Sequence, residues 1–153
     1  MNIKKTVVAF IAATSFAAAV IPSFVANAQT IQTVTTVETV LNFAKLTSVA
    51  APTTGTVAIV KKTDGSTVLR LQNLKTEVGP DLHVYLYAAA LPSKDAKPAD
   101  VRAVKYIDLG KLPAPFSGYY EYKIPVGTDL NAFKSAIIWC DLAGVTFGGA
   151  TLN

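Results

Sequence analysis

The amino-acid sequence predicts an all-β protein, an antiparallel β-sandwich or partly open barrel of about seven or eight short strands. Three observations lead to this prediction. Apolar and polar residues alternate with a period of two, as in strands that bury one face. Gly, Pro and Asp-Gly sites separate these runs at short intervals, and helical periodicity is scarce. The β-rich part follows an N-terminal export signal.

Residues 1–28 have the features of a signal peptide. Lys4 and Lys5 precede an apolar run, residues 6–20, that is shorter than the roughly 20 residues of a membrane span. Pro22 ends this run, and Ala26-Asn27-Ala28 forms a signal-peptidase site. We therefore expect cleavage after Ala28 and an extracytoplasmic mature chain, which is periplasmic, bound at the cell surface or secreted. We expect no membrane span after cleavage.

The mature chain divides into an N-terminal arm or linker, residues 29–53, and a β-domain, residues 54–153. Residues 36–46 leave two alternatives open. Val37, Val40 and Leu41 would share one side of a short helix, whereas the many β-branched residues favour an extended arm.

The elements of the β-domain follow from turn chemistry and alternation. Asp64-Gly65 between two β-rich runs predicts a hairpin. Ala136 to Cys140 is apolar on both faces, which predicts a central strand. The predicted strands are 56–61, 67–71, 82–87, 104–109, a strand around 120–124, 136–140 and 145–152, with a long loop at 88–102, a capped helical turn at 128–133 and a bulge or bend at Gly148 and Gly149.

Alternation also predicts the core, because every second strand residue points to the same side. The residues expected inside the domain are Leu69, Leu71, Leu82, Val84, Leu86, Ile124, Ile138 and Phe147.

Composition excludes several function classes. Without Lys4 and Lys5, twelve basic residues face ten acidic ones, and this scattered net charge of +2 argues against a nucleic-acid partner. The mature chain has one His, one Cys and no Met, too few for blue-copper, Cys/His zinc or bis-His haem sites. We therefore predict no metal site. No nucleophile elbow, phosphate loop or zinc-protease motif is present, so we do not expect a classical enzyme.

Three residues are candidates for a functional site. Cys140 is the only cysteine of an exported chain, so it is either an inert core thiol or a redox residue. Ile137, Ile138 and Trp139 favour burial of Cys140, whereas Asp141 and Gly144 place it at a strand end near a rim that solvent reaches, so the sequence leaves its exposure open. His83 shares a strand face with Asp81, which predicts a half-exposed histidine or a carboxylate-oriented base. Trp139 is a candidate because it precedes Cys140. The other aromatic strand residues could line a ligand groove or an electron-transfer surface, but we interpret them as sheet-stabilising. They are Tyr85, Tyr87, Tyr119, Tyr120 and Tyr122.

Five segments in order resemble the DM13 domain over about residues 54–152. They are Gly79-Pro80-Asp81-Leu82-His83-Val84-Tyr85-Leu86, Ile107-Asp108-Leu109-Gly110-Lys111-Leu112, Gly118 with Tyr122-Lys123-Ile124-Pro125, Ile137-Ile138-Trp139-Cys140, and Val145-Thr146-Phe147-Gly148-Gly149-Ala150-Thr151-Leu152. The resemblance implies an extracytoplasmic electron-transfer domain whose cysteine, here Cys140, acts as a bare thiol or holds a group such as haem. His83 and Trp139 would then lie near the cofactor, and the partner would be a redox or cell-surface protein.

A second class of function remains open. A β-sandwich also serves as a scaffold for binding or adhesion through its loops. In that case, Cys140 is a core residue and the long loop at 88–102 is the contact surface.

Overall fold

The structure of the protein is a computed structural model that describes residues 37–152. The predicted signal peptide, its cleavage site and residues 29–36 of the arm lie outside these residues. Among the residues described, no helix has the length and apolar character needed to cross a bilayer.

Two antiparallel sheets pack face to face and do not close into a barrel, which confirms the predicted all-β sandwich. The first sheet has the strand order β1-β3-β4-β7 and the second has the order β2-β9-β8-β5-β6. The strands are β1 (Thr39–Lys45), β2 (Thr47–Ser48), β3 (Thr53–Lys61), β4 (Thr67–Thr76), β5 (Leu82–Tyr87), β6 (Tyr106–Lys111), β7 (Ser117–Ile124), β8 (Ser135–Cys140) and β9 (Val145–Thr151).

The four-stranded sheet contains the hairpin that the sequence predicts. Asp64 Oδ1 accepts hydrogen bonds from the Ser66 amide at 2.8 Å and from its hydroxyl, and Gly65 adopts a φ of +83°. Strand β1 pairs antiparallel with β3, from Thr39 opposite Lys61 to Lys45 opposite Thr56. The segment whose conformation the sequence leaves open is therefore extended from Thr39 to Lys45.

In the five-stranded sheet, β8 lies between β5 and β9, and all six of its residues are buried, as predicted for a central strand. Side chains alternate along β8, so that Ile138 and Cys140 belong to the core between the sheets. Ile137 and Trp139 face the other way and belong to a second apolar cluster on the outer face. Strand β8 thus separates two cores.

The core between the sheets contains all eight residues that the alternation predicts. They are Leu69, Leu71, Leu82, Val84, Leu86, Ile124, Ile138 and Phe147. The predicted capped turn is also present, as a 3-10 helix over Leu130–Ala132 in which the Asp129 side chain accepts a hydrogen bond from the Asn131 amide. The predicted bulge lies in β9, where the register with β8 shifts next to Gly148.

The connection between β5 and β6 differs from the prediction of an irregular loop, because it contains helix α1 (Pro98–Ala103). A helix of six residues is too short to give a periodic apolar pattern, so the sequence gives little sign of it. Its one buried residue, Val101, belongs with Tyr85, Tyr87 and Trp139 to the second apolar cluster described above. Helix α1 therefore covers one side of the five-stranded sheet.

Candidate functional site

The candidate residues meet at one end of the five-stranded sheet, where β5 begins and β8 ends. His83 and Trp139 are directly opposite each other in the β5–β8 pairing, and their side chains share the outer face with Tyr85. Asp141 follows the last residue of β8. We call His83, Tyr85, Trp139 and Asp141 the outer-face cluster. The structure thus brings the side chains of His83 and Trp139 together on the outer face of the sheet.

Asp141 is the centre of this cluster. Its Oδ1 accepts hydrogen bonds from Trp139 Nε1 at 2.9 Å and from Arg102 Nη2 at 3.2 Å, and its Oδ2 accepts one from the Tyr85 hydroxyl at 3.0 Å. The Arg102 guanidinium also lies 5.9 Å from the centroid of the Trp139 ring, within cation–π range. One carboxylate therefore ties two buried aromatic side chains to helix α1.

His83 is bound by carboxylates on both sides of its ring. Its Nδ1 lies 2.8 Å from Asp108 Oδ2, and its Nε2 lies 3.4 Å from Asp81 Oδ1. Since a carboxylate only accepts, the Nδ1 nitrogen carries the proton in the hydrogen bond to Asp108. The His83 side chain is 13% exposed, and Asp108 rather than Asp81 is its closest orienting group.

The same groups include a geometry that could hold a cation. Ligand atoms of Asp81, His83 and Asp141 all lie within 4.8 Å of one another. Positive charge is already supplied there, because Lys111 Nζ lies 2.8 Å from Asp81 and Arg102 lies 3.2 Å from Asp141. The hydrogen bond from Lys111 also lowers the pKa of Asp81. The carboxylates of Asp81 and Asp141 are therefore already paired with cationic side chains of the protein.

Tyr85 connects the cluster to the surface. The residue is 4% exposed, and its ring stacks on that of Tyr106 with 4.6 Å between centroids and 14° between planes. Tyr106, on the edge strand β6, is 40% exposed. Burial and the hydrogen bond to Asp141 raise the pKa of Tyr85, so its phenol is protonated at neutral pH. The sequence interpretation of Tyr85 as only sheet-stabilising misses this arrangement.

Cys140 lies on the opposite face of the sheet, and of the two positions that the sequence leaves open, buried or near the rim, the structure has the buried one. The residue is 0% exposed and belongs to the core between the sheets. Two features explain its burial. Cys140 still pairs with Leu82 and Val145 on its two sides, and the turn after it folds back so that the Gly144 amide donates to the Cys140 carbonyl. The free thiol thus contacts neither solvent nor the outer-face cluster.

A haem group does not fit this site. Ligation by Cys140 would place a large planar group in a core that leaves the thiol no exposed surface, so the two sheets would have to separate. His83 points to the other side of the sheet and would not ligate the same iron as Cys140. Without a haem group, the groups available for chemistry at this site are the side chains themselves.

Three residues of the site cannot be recognised from the sequence, namely Arg102, Tyr106 and Asp108. They reach the site through the pairing of β5 with β6 and through the packing of α1, which depend on register and tertiary structure. The motif Ile107-Asp108-Leu109-Gly110 is the one signal that could have indicated Asp108, since it places a carboxylate inside a strand.

Comparison with known proteins assigns the domain. A family model described as electron transfer DM13 matches residues 42–152, which covers most of the chain and most of the sandwich. No curated protein and no solved structure matches the chain.

Proposed function

The chain belongs to the DM13 family, and from this membership we propose that it is an exported electron-transfer domain in which Cys140 is the redox residue. The observation that carries the proposal is the family match over residues 42–152. The match includes Cys140, the one cysteine of the sequence, and all four residues of the outer-face cluster.

Burial of Cys140 restricts the redox reactions that its thiol can undergo. Disulfide exchange and oxidation to sulfenic acid require a reagent to touch Sγ, and the 0% exposure of Cys140 opposes both reactions. Transfer of a single electron does not require contact between the thiol and its partner. In the proposed cycle, the S–H bond breaks and one electron passes to the oxidised metal centre of an extracytoplasmic metalloprotein. Because Sγ has no exposed surface, the proton passes to water only when the end of β8 opens transiently. A one-electron reductant reverses the step.

Trp139 and Asp141 flank Cys140 in the chain and lie on the outer face of the sheet. Trp139 is buried and the Asp141 side chain is 32% exposed, so the residue directly after the buried thiol reaches solvent, and the rim of the outer-face cluster around Asp141 is the proposed contact region for the partner. Helix α1 and the exposed ring of Tyr106 border this region.

Export is part of the proposal. The short apolar run of residues 6–20 and the Ala26-Asn27-Ala28 site support cleavage after Ala28 and a periplasmic, cell-surface or secreted location. N-terminal sequencing of the protein from its host should give a mature chain that starts at Gln29. A chain that retained Met1 would refute this part.

A mediated redox titration tests the function. We expect the purified mature protein to exchange one electron per chain and Cys140→Ala to exchange none. Val145→Ala is the matched control, because it removes volume from the β9 residue paired with Cys140 without removing the thiol, and it should behave as the unmodified protein does. Electron exchange that persists in Cys140→Ala would overturn the role of the cysteine.

The burial of Cys140 favours a second candidate function, a binding or adhesion module in which the cysteine only fills the core. Under this alternative, the folded protein exchanges no electrons, and Cys140 reacts with thiol reagents only after unfolding. The segment between β5 and β6 would then be the contact surface.

A further inference from the structure

We propose that Tyr85 is a proton-coupled relay residue, which exchanges single electrons with an oxidised metalloprotein through the ring of Tyr106 while Asp141 holds its phenolic proton. This inference rests on the proposed electron-transfer function and deepens it by naming the residues that connect the domain to its partner.

The first argument is the proton. Oxidation of a phenol within a protein releases the hydroxyl proton, because a positive charge on a buried ring is costly. The Tyr85 hydroxyl donates to Asp141 Oδ2 at 3.0 Å, so an acceptor is in place before the electron leaves. The geometry therefore provides a proton acceptor to Tyr85.

The second argument is the exit to the surface. The Tyr106 ring lies nearly parallel to that of Tyr85, at 4.6 Å, and Tyr106 is exposed. A partner that docks on the edge strand β6 would contact Tyr106 and lie one ring away from Tyr85. Tyr85 itself remains shielded from water, which limits side reactions of its oxidised form.

The step balances in atoms and electrons. The O–H bond of Tyr85 breaks, and the proton moves to Asp141 Oδ2. One electron passes to the oxidised metal of the partner, whose oxidation state falls by one. Tyr85 becomes a neutral phenoxyl radical and Asp141 a neutral carboxylic acid. When a quinol or another one-electron reductant returns the electron, Asp141 returns the proton. Arg102 keeps its contact with the Asp141 backbone carbonyl through the cycle.

The four-stranded sheet supplies a matched control. Tyr119 also donates to a carboxylate, Glu121 Oε2, at 2.9 Å, but it is 56% exposed. It therefore reproduces the hydrogen bond of Tyr85 without its shielding.

Flash photolysis with a photogenerated ruthenium(III) polypyridyl oxidant tests the relay in the mature protein. We expect an oxidation phase with a tyrosyl radical signal and a solvent deuterium isotope effect. Tyr85→Phe should abolish this phase, and Asp141→Asn should slow it at least about tenfold. Tyr106→Leu should slow it by about as much while leaving the hydrogen bond to Asp141 intact. Tyr119→Phe should not change it.

Two results would overturn the relay. One is a radical phase that keeps its rate and isotope effect in Tyr85→Phe, and the other is an unchanged rate in both Asp141→Asn and Tyr106→Leu. Tyr106→Leu alters a partly exposed residue of an edge strand, so it keeps the test valid if Asp141→Asn fails to fold. Absence of the phase in the unmodified protein, together with a normal Cys140 titration, would refute the relay alone. A normal phase together with no electron exchange in that titration would refute the proposed function alone.

Discussion

The outer faces of the two sheets carry the same combination of side chains in two different environments. Each has a tyrosine hydroxyl that donates to a carboxylate, an arginine paired with that carboxylate, and an aromatic ring near the guanidinium. The two sets are Tyr85, Asp141, Arg102 and Trp139 on the five-stranded sheet, and Tyr119, Glu121 and Arg70 on the four-stranded sheet.

The two sets of side chains differ in how deeply they are buried. Trp139 is 1% exposed, because the segment between β5 and β6 covers the five-stranded sheet. On the other sheet, Arg70 pairs with Glu38 and Glu121 near solvent, and Tyr119 is open to water. Electrostatic interactions weaken as the surrounding dielectric rises, so identical contacts stabilise the fold less on the open face. Hydrogen-bond geometry alone does not reveal the functional face.

The largest difference should appear when the aromatic residues are removed. Trp139→Ala should lower the free energy of unfolding by about 3–5 kcal/mol, since it leaves a cavity and removes one of the hydrogen bonds to Asp141 Oδ1. Tyr119→Ala should lower it by about 1 kcal/mol or less, as expected for an exposed residue. Urea denaturation monitored by circular dichroism measures both changes, and equal losses would contradict the comparison.

Replacement of the buried cysteine should have the next largest effect. Cys140→Ser should cost about 1–3 kcal/mol, because a hydroxyl group replaces the thiol in an apolar core. Cys140→Ala, which adds no polar group, should cost less. Urea denaturation of the two variants measures this difference. A serine variant as stable as the unmodified protein would show that the thiol position is hydrated, contrary to its burial.

Replacing the carboxylate of each set, Asp141 or Glu121, should lower the free energy of unfolding by a smaller amount. Asp141→Asn should cost about 1–2 kcal/mol, because it weakens hydrogen bonds to two shielded rings and to Arg102. Glu121→Gln, on the open face, should cost about 1 kcal/mol or less. Thermal unfolding at neutral pH compares the two variants. A larger loss for Glu121→Gln would reverse the proposed order of the faces.

The smallest expected effect is the loss of stability on the four-stranded sheet when Glu121 is protonated in acid. Hydrogen bonds from Lys62 and Arg70 lower the pKa of Glu121 from 4.5 to about 2. Because the folded pKa is depressed, the contribution of Glu121 to stability is present above pH 4.5 and is lost as pH falls from 4.5 towards about 2. Denaturation of the unmodified protein and Glu121→Gln across this range should show a difference that shrinks with acid. A constant difference would contradict the assignment.

Local patterns predict the sandwich well and the site only in part. Alternation identifies core residues such as Leu69 and Phe147, because one buried face leaves a direct mark on a strand. The sequence leaves the exposure of Cys140 undecided, since the residues after β8 fold back over its end and no local pattern signals such a turn. The contact between His83 and Asp108 depends on the β5–β6 register, which spans two distant segments.

Hydroxyl-radical footprinting of the native protein, read by mass spectrometry, tests most directly the claim that the two tyrosine–carboxylate pairs differ in their access to solvent. The structure predicts rapid modification of Tyr119 and Tyr106, and protection of Tyr85 and Trp139 until the protein unfolds. Modification of Tyr85 in the folded protein at the rate of Tyr119 would contradict the shielded site and the relay that depends on it.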